Sequence, residues 1–83
     1  MFKVYIIRSI KHPERFYIGY TTNLKNRLDS HNSGQSAYTS KYKPWELEFF
    51  ACFNNKMKAL DFEKYLKTPS GKAFRNKRLI HFD

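Results

Sequence analysis

The sequence predicts an α/β fold of the α+β kind: a small three-stranded, largely antiparallel sheet flanked by about three helices. Three observations predict it. The stretches FKVYIIR (2–8) and RFYIGY (15–20) are β-branched and aromatic, and lie close enough to pair as an antiparallel hairpin. A third such stretch, WELEFFACF, follows Pro44. Segments with helical spacing and cap residues fill most of the remainder, in the order β-β-α-β-α-α.

Each element has a local reason. KHPE (11–14) is a turn broken by Pro13, which separates the first two strands. Thr21, Thr22 and Asn23 offer N-cap side chains for a helix LKNRLDSHNSG that stops at Gly34. QSAYTSKYKP reads as an irregular polar loop. WELEFFACF alternates at first and then becomes wholly apolar, the pattern of a strand buried on both faces. Asn54 or Asn55 caps a second helix, KMKALDFEKYLK, and Ser70 a third, GKAFRNKRLIHF. The 83 residues (1–83) are expected to make one domain with no second core.

A chain this short buries only roughly 60–65% of its unfolded surface, so its core must be dense. Eight Phe, six Tyr and one Trp supply that density despite a mean hydropathy of -0.73. The charge is strongly positive: 16 Lys+Arg against 7 Asp+Glu, for a net +9. Such an excess costs stability by self-repulsion and favours polyanions, nucleic acid first and acidic membrane surfaces second. The lone Cys52 has no partner for a disulfide and reads as a small buried hydrophobe. A cytoplasmic location is expected, because MFKVYIIRSIKH has no signal-peptide pattern and no apolar run approaches a membrane span.

Several residues strain a purely structural reading. Leu24, Arg27, Leu28 and His31 share one helical face, so the leucines draw Arg27 and His31 toward the sheet. Arg27 then either snorkels to a carboxylate or meets an anion. Glu63 lies beside the stripe of Ala59, Phe62 and Leu66, and also stands i,i+4 from Lys67 as an ordinary surface pair would. Tyr5 and Tyr17, as hairpin partners, present phenols to one surface or simply pack the strands. Gly19, in a strand, marks a close backbone approach, to a phosphate or to the helix carrying Arg27.

Together, KVY at 3–5, YIG at 17–19, Arg27, His31 and Glu63 resemble the GIY-YIG nuclease domain, in particular its small single-domain bacterial members. PWELEFF and EKYLKTPSGKAF are similar to stretches of those members, and the resemblance runs from about Lys3 to Leu79. Lys3 and Val4 stand where the family name has Gly and Ile, and Tyr20 where some members carry lysine. Asn76 lies where some members use an asparagine.

The resemblance implies metal-dependent phosphodiester hydrolysis, in DNA more than RNA. It implies one Mg²⁺ or Mn²⁺ held by Glu63, with Arg27 offsetting phosphate charge. Tyr5 would accept the proton of the attacking water and Tyr17 would bind phosphate or water, the two roles being interchangeable. His31 would orient Tyr5 or assist the transfer. A free tyrosine is only about a thousandth ionised at pH 7, so positive charge from Arg27, Lys3 or the metal is expected to lower its pKa. Lys3, Lys41, Lys43, Lys72, Arg75 and Arg78 are the candidate nucleic-acid contacts, or else a solvated face. Two rivals remain: a catalytically silent nucleic-acid-binding module of the same fold, and a protein-interaction adaptor. No separate DNA-binding domain is expected, so the domain alone would act on a structured or damaged substrate or bind without cutting.

Overall fold

The computed structural model describes residues 1–82. Its elements run β1 (Phe2–Ser9), β2 (Phe16–Thr21), α1 (Leu24–Asn32), α2 (Ala37–Ser40), β3 (Trp45–Phe53), α3 (Lys56–Leu66) and α4 (Pro69–Arg78). The sheet has the order β2-β1-β3, and both pairings are antiparallel. The α+β architecture therefore stands, with one helix more than the sequence suggests. That helix is α2, a single turn inside the stretch read as irregular loop.

Because β1 is central, it is the strand buried on both faces, with Val4, Tyr5, Ile6 and Ile7 almost fully enclosed. The sequence reading assigned that role to β3. As an edge strand, β3 alternates instead, leaving Phe50 and Cys52 exposed. Cys52 is thus a surface thiol rather than a core residue. A β-bulge between Ile6 and Ile7 moves the register from Phe49 to Leu47 and leaves Glu48 as the extra residue. The shift sets Trp45 opposite Ser9, on the face that Tyr5 and Ile7 occupy.

The two faces of β1 seed two cores. Val4 and Ile6 pack with Ile18, Ala59, Leu66 and Ile80 under α3. Tyr5 and Ile7 pack with Trp45 and with the flanking Tyr17, Leu24, Leu28 and Tyr42. Burying these side chains drives the fold at about 1.5–3 kcal/mol per large residue.

Helix starts are fixed by side-chain caps that satisfy otherwise orphaned amides. Asn23 accepts from Asn26 N at 3.1 Å and Asn55 from Lys58 N at 3.0 Å. Thr68, not Ser70, caps α4, accepting from Gly71 N at 3.1 Å ahead of Pro69 in the first turn. Proline at the helix start explains the choice: its ring prefers the first helical position, and the cap precedes it. A Cβ on Gly71 would run into the Tyr65 carbonyl oxygen, so the α3–α4 corner closes only on glycine.

Candidate active site

Tyr5 sits at the middle of β1 directly opposite Gly19, while Tyr17 lies opposite Ile7. The two phenols are therefore diagonal neighbours on one face, not direct hairpin partners. Their ring centroids are 6.4 Å apart. The close approach at Gly19 is made by Tyr5: a Cβ there would occupy the space of the Tyr5 hydroxyl. The glycine lets the phenol lie flat across β2.

Folding brings His31 under both rings, 5.8 Å from Tyr5 and 4.9 Å from Tyr17. His31 is almost fully buried, as the leucine-flanked face of α1 predicts. Its Nε2 lies 2.8 Å from the Tyr5 hydroxyl, and its Nδ1 lies 2.9 Å from Thr39 Oγ1. Thr39 is in turn held by Trp45, whose Nε1 donates to the Thr39 carbonyl at 2.8 Å. A buried relay thus runs from Trp45 through Thr39 and His31 to Tyr5.

Burial, reinforced by the charge of Arg27, holds the His31 pKa below its ordinary value, so the imidazole is neutral at pH 7. A neutral ring has one donor and one acceptor. With Nδ1–H donating to Thr39, Nε2 is free to accept from the Tyr5 hydroxyl.

Arg27 stands over the phenols from α1. Its own pKa is raised, first by the Tyr5 hydroxyl and then by Tyr17. Much of its side chain is exposed, so the residue rims the site rather than being drawn fully inward. Tyr5 departs from expectation. Burial pushes its pKa up and outweighs the lowering by Arg27; Tyr17 and Glu63 add to the rise. The phenol is a neutral donor at pH 7.

Glu63 approaches from α3. Its side chain is 20% exposed and accepts an ion-pair contact from Lys67 Nζ at 3.0 Å. The surface pair read from the sequence is therefore present, while the same carboxylate is close enough for its charge to bear on Tyr5.

The arrangement of a buried Tyr–His pair, a second phenol, an arginine and a half-buried carboxylate can be set against known proteins. The family model described as "GIY-YIG catalytic domain" matches residues 1–78. The chain belongs to the GIY-YIG family. All seven elements lie inside the match. The chain is 42% identical over 57 residues to a UPF0213 protein of Bacillus licheniformis, covering 68% of this chain and 59% of the relative. It is 39% identical over 77 residues to a UPF0213 protein of Clostridium perfringens, covering 92% and 76%. It is also 40% identical over 73 residues to structure-specific endonuclease subunit SLX1 of Debaryomyces hansenii. There it covers 80% of this chain and 21% of the relative. Against the Bacillus relative the chain spans about three-fifths of the length, and against SLX1 about a fifth.

The GIY-YIG domain places the other candidates unevenly. Lys3 is half-buried opposite Thr21 and shares the Tyr5 face. Lys41 and Lys43 are exposed after α2, and Arg78 is exposed in the last turn of α4. Lys72 and Arg75 instead line a recess of about 440 Å³ beside Tyr17. Asn76 lines an adjoining recess of about 380 Å³. Thr39 and Trp45 have no place among the candidates the sequence offers. Thr39 and Trp45 carry no local signal, since their value lies in long-range hydrogen bonds. Lys67 was seen only as the partner of Glu63. Among the described residues no helix is long and apolar enough to cross a membrane.

Proposed function

We propose that this GIY-YIG domain is a metal-dependent endonuclease that hydrolyses phosphodiester bonds in nucleic acid, DNA before RNA. One observation carries the reading: the Tyr5 hydroxyl is hydrogen-bonded to a buried, neutral His31 and lies within electrostatic reach of Arg27, Tyr17 and Glu63. A strand phenol that merely packs has no need of a buried imidazole anchored by a buried threonine.

The donor set fits a hard divalent cation. Among the described residues no three His, Cys, Asp or Glu side chains gather into a cage. Mg²⁺ or Mn²⁺ needs only one or two protein carboxylates, with phosphate and waters as the other ligands, and Glu63 supplies one. When bound, such an ion polarises the phosphate and neutralises charge on the leaving oxygen.

The chain's own residues supply the proton path. Tyr5 takes a proton from the attacking water as its own proton passes to His31 Nε2. This route answers the raised Tyr5 pKa, because no free phenolate is required. Thr39 holds Nδ1 and so keeps the ring aligned. Arg27 compensates charge gathering on the phosphate oxygens, and Tyr17 hydrogen-bonds the phosphate or the water.

The Lys67 contact to Glu63 favours one other reading, a catalytically silent nucleic-acid-binding module, since it neutralises the single available carboxylate. One experiment separates the two. Purified protein is incubated with single-stranded, duplex, flap and junction substrates, with Mg²⁺ or Mn²⁺. Nicking that is lost in Glu63→Gln and Arg27→Ala is expected, by roughly 10²–10³-fold for the arginine. Intact substrates across the panel, with binding retained, would establish the silent module.

A further inference from the structure

The two recesses beside Tyr17 share Phe16, Tyr38, Lys72 and Arg75 and form one groove along the outer edge of β2. One wall is the edge strand and another is α4, and Tyr38 of α2 lines both recesses. Lys67 joins Lys72 and Arg75 at one end, and Arg15 adds a cation at the other, against the single carboxylate of Glu14. About 440 Å³ is the scale of a recess that takes one small ligand.

Three features of the groove are unexplained by folding. Tyr38 is 42% exposed although it belongs to a run of aromatic contacts. Its ring lies 6.2 Å from Tyr17 and 5.4 Å from Tyr42, so it extends the phenol surface outward from Tyr5 and Tyr17. Arg75 Nε is buried and, among the described residues, meets no hydrogen-bond acceptor. Its guanidinium lies 5.4 Å from the Phe16 ring centre, a cation–π contact that leaves Nε without an oxygen acceptor. A buried donor left unpaired is destabilising, and an incoming anionic oxygen removes that cost. Lys72 is exposed at the same recess and, among the described residues, pairs with no carboxylate, whereas Lys67 pairs with Glu63 and Arg15 with Glu14.

We infer that this groove is a nucleotide subsite for a single DNA strand leaving the reaction centre, with one base stacked on Tyr38 and its phosphate held by Lys72 and Arg75. The inference rests on the nuclease reading for its direction but not for its test. Stacking on an exposed ring requires a base that is not already paired and stacked in a duplex. A cationic groove with an aromatic platform is the usual physical solution for such a strand. Burial lowers the Arg75 pKa, which a phosphate at Nε would reverse. Tyr38 is accordingly a positioning residue: it acts on a nucleotide beside the scissile one.

The test measures binding without metal, so that cleavage does not enter. Fluorescence anisotropy follows a short oligodeoxynucleotide against wild type, Tyr38→Ala, Tyr38→Trp and Lys72→Gln. Because Tyr38 adjoins Thr39, thermal unfolding of each variant checks the fold, and Lys72→Gln tests the groove from an exposed position. Tyr38→Ala and Lys72→Gln are each expected to weaken binding at least about fivefold, and Tyr38→Trp to retain it. An abasic residue walked along the strand is expected to abolish the Tyr38→Ala effect at one position only. The inference is overturned if a folded Tyr38→Ala binds as wild type, if the abasic walk finds no such position, or if Lys72→Gln is without effect. Loss of cleavage with this binding pattern intact would instead overturn the nuclease reading and leave the subsite standing.

Discussion

Tyr5 and His31 form the pair on which stability and the proposed chemistry meet. Tyr5→Phe keeps the ring but leaves His31 Nε2 without its partner, so a destabilisation of about 1 kcal/mol is expected. If the phenol relays the water's proton, cleavage falls by roughly 10²–10⁴-fold, far more than the stability loss explains. Denaturant melts and single-turnover assays of the same variant separate the two. A stability loss with unchanged cleavage would remove Tyr5 from the proton path.

The lowered His31 pKa also has a sign. Below pH 6.5 the unfolded chain binds this proton more readily than the folded one, so acid favours unfolding. The stabilising contribution is present above pH 6.5 and is lost as the pH falls through and below it. Melting temperatures taken from pH 8 down to pH 5 should decline more steeply for wild type than for His31→Gln. Parallel curves would mean that His31 is not held neutral. Tyr5 works at the other end: its raised pKa favours the folded state below pH 10, and the advantage goes as the pH rises beyond. Gly19→Ala places a methyl group where the Tyr5 hydroxyl lies. Something must shift, at about 1–3 kcal/mol, and the displaced group is the phenol itself.

At the scale of elements, the α3–α4 corner ties Glu63 to the groove. Thr68 closes it by capping α4 and by donating to the Tyr65 carbonyl at 2.6 Å. Thr68→Ala should cost about 1 kcal/mol or somewhat more, since both bonds go. Gly71→Ala should cost at least as much, because its Cβ meets backbone, which yields less readily than a side chain. Chemical denaturation measures both, and a Gly71→Ala variant as stable as wild type would show that the corner opens freely. The strands were legible from residue type alone, as were α1 and α3, whose caps Asn23 and Asn55 were each one of several candidates. Two element-level errors have physical causes. The apolar run of β3 misled because an edge strand exposes one face whatever its composition, and edge status is set by pairing. The turn of α2 was invisible because four residues carry too little periodicity to signal a helix.

For the molecule as a whole, the proposed function draws on the net charge of +9 where it is concentrated. Lys41, Lys43 and Arg78 are exposed, while Lys67, Lys72, Arg75 and Arg15 converge on one groove. Binding to a single DNA strand should fall steeply with salt, and Lys72→Gln should lower the slope of log K against log salt by about one phosphate's worth. An unchanged slope would place the phosphate contacts elsewhere on the surface.

By itself the sequence determined the three strands and every helix but α2, the sign and size of the charge, and the residue types of the candidate site, because each depends on local propensity or simple count. It also carried the family signature, which residues 1–78 match. Only the tertiary structure decided that Tyr5 is a neutral donor, since burial by the sheet and α1 outweighs the charge of Arg27. Only it joined Trp45, Thr39 and His31 into a support for that phenol, because hydrogen bonds between distant residues leave no local pattern. And only packing explained Gly19, whose missing side chain is the room that the Tyr5 ring requires.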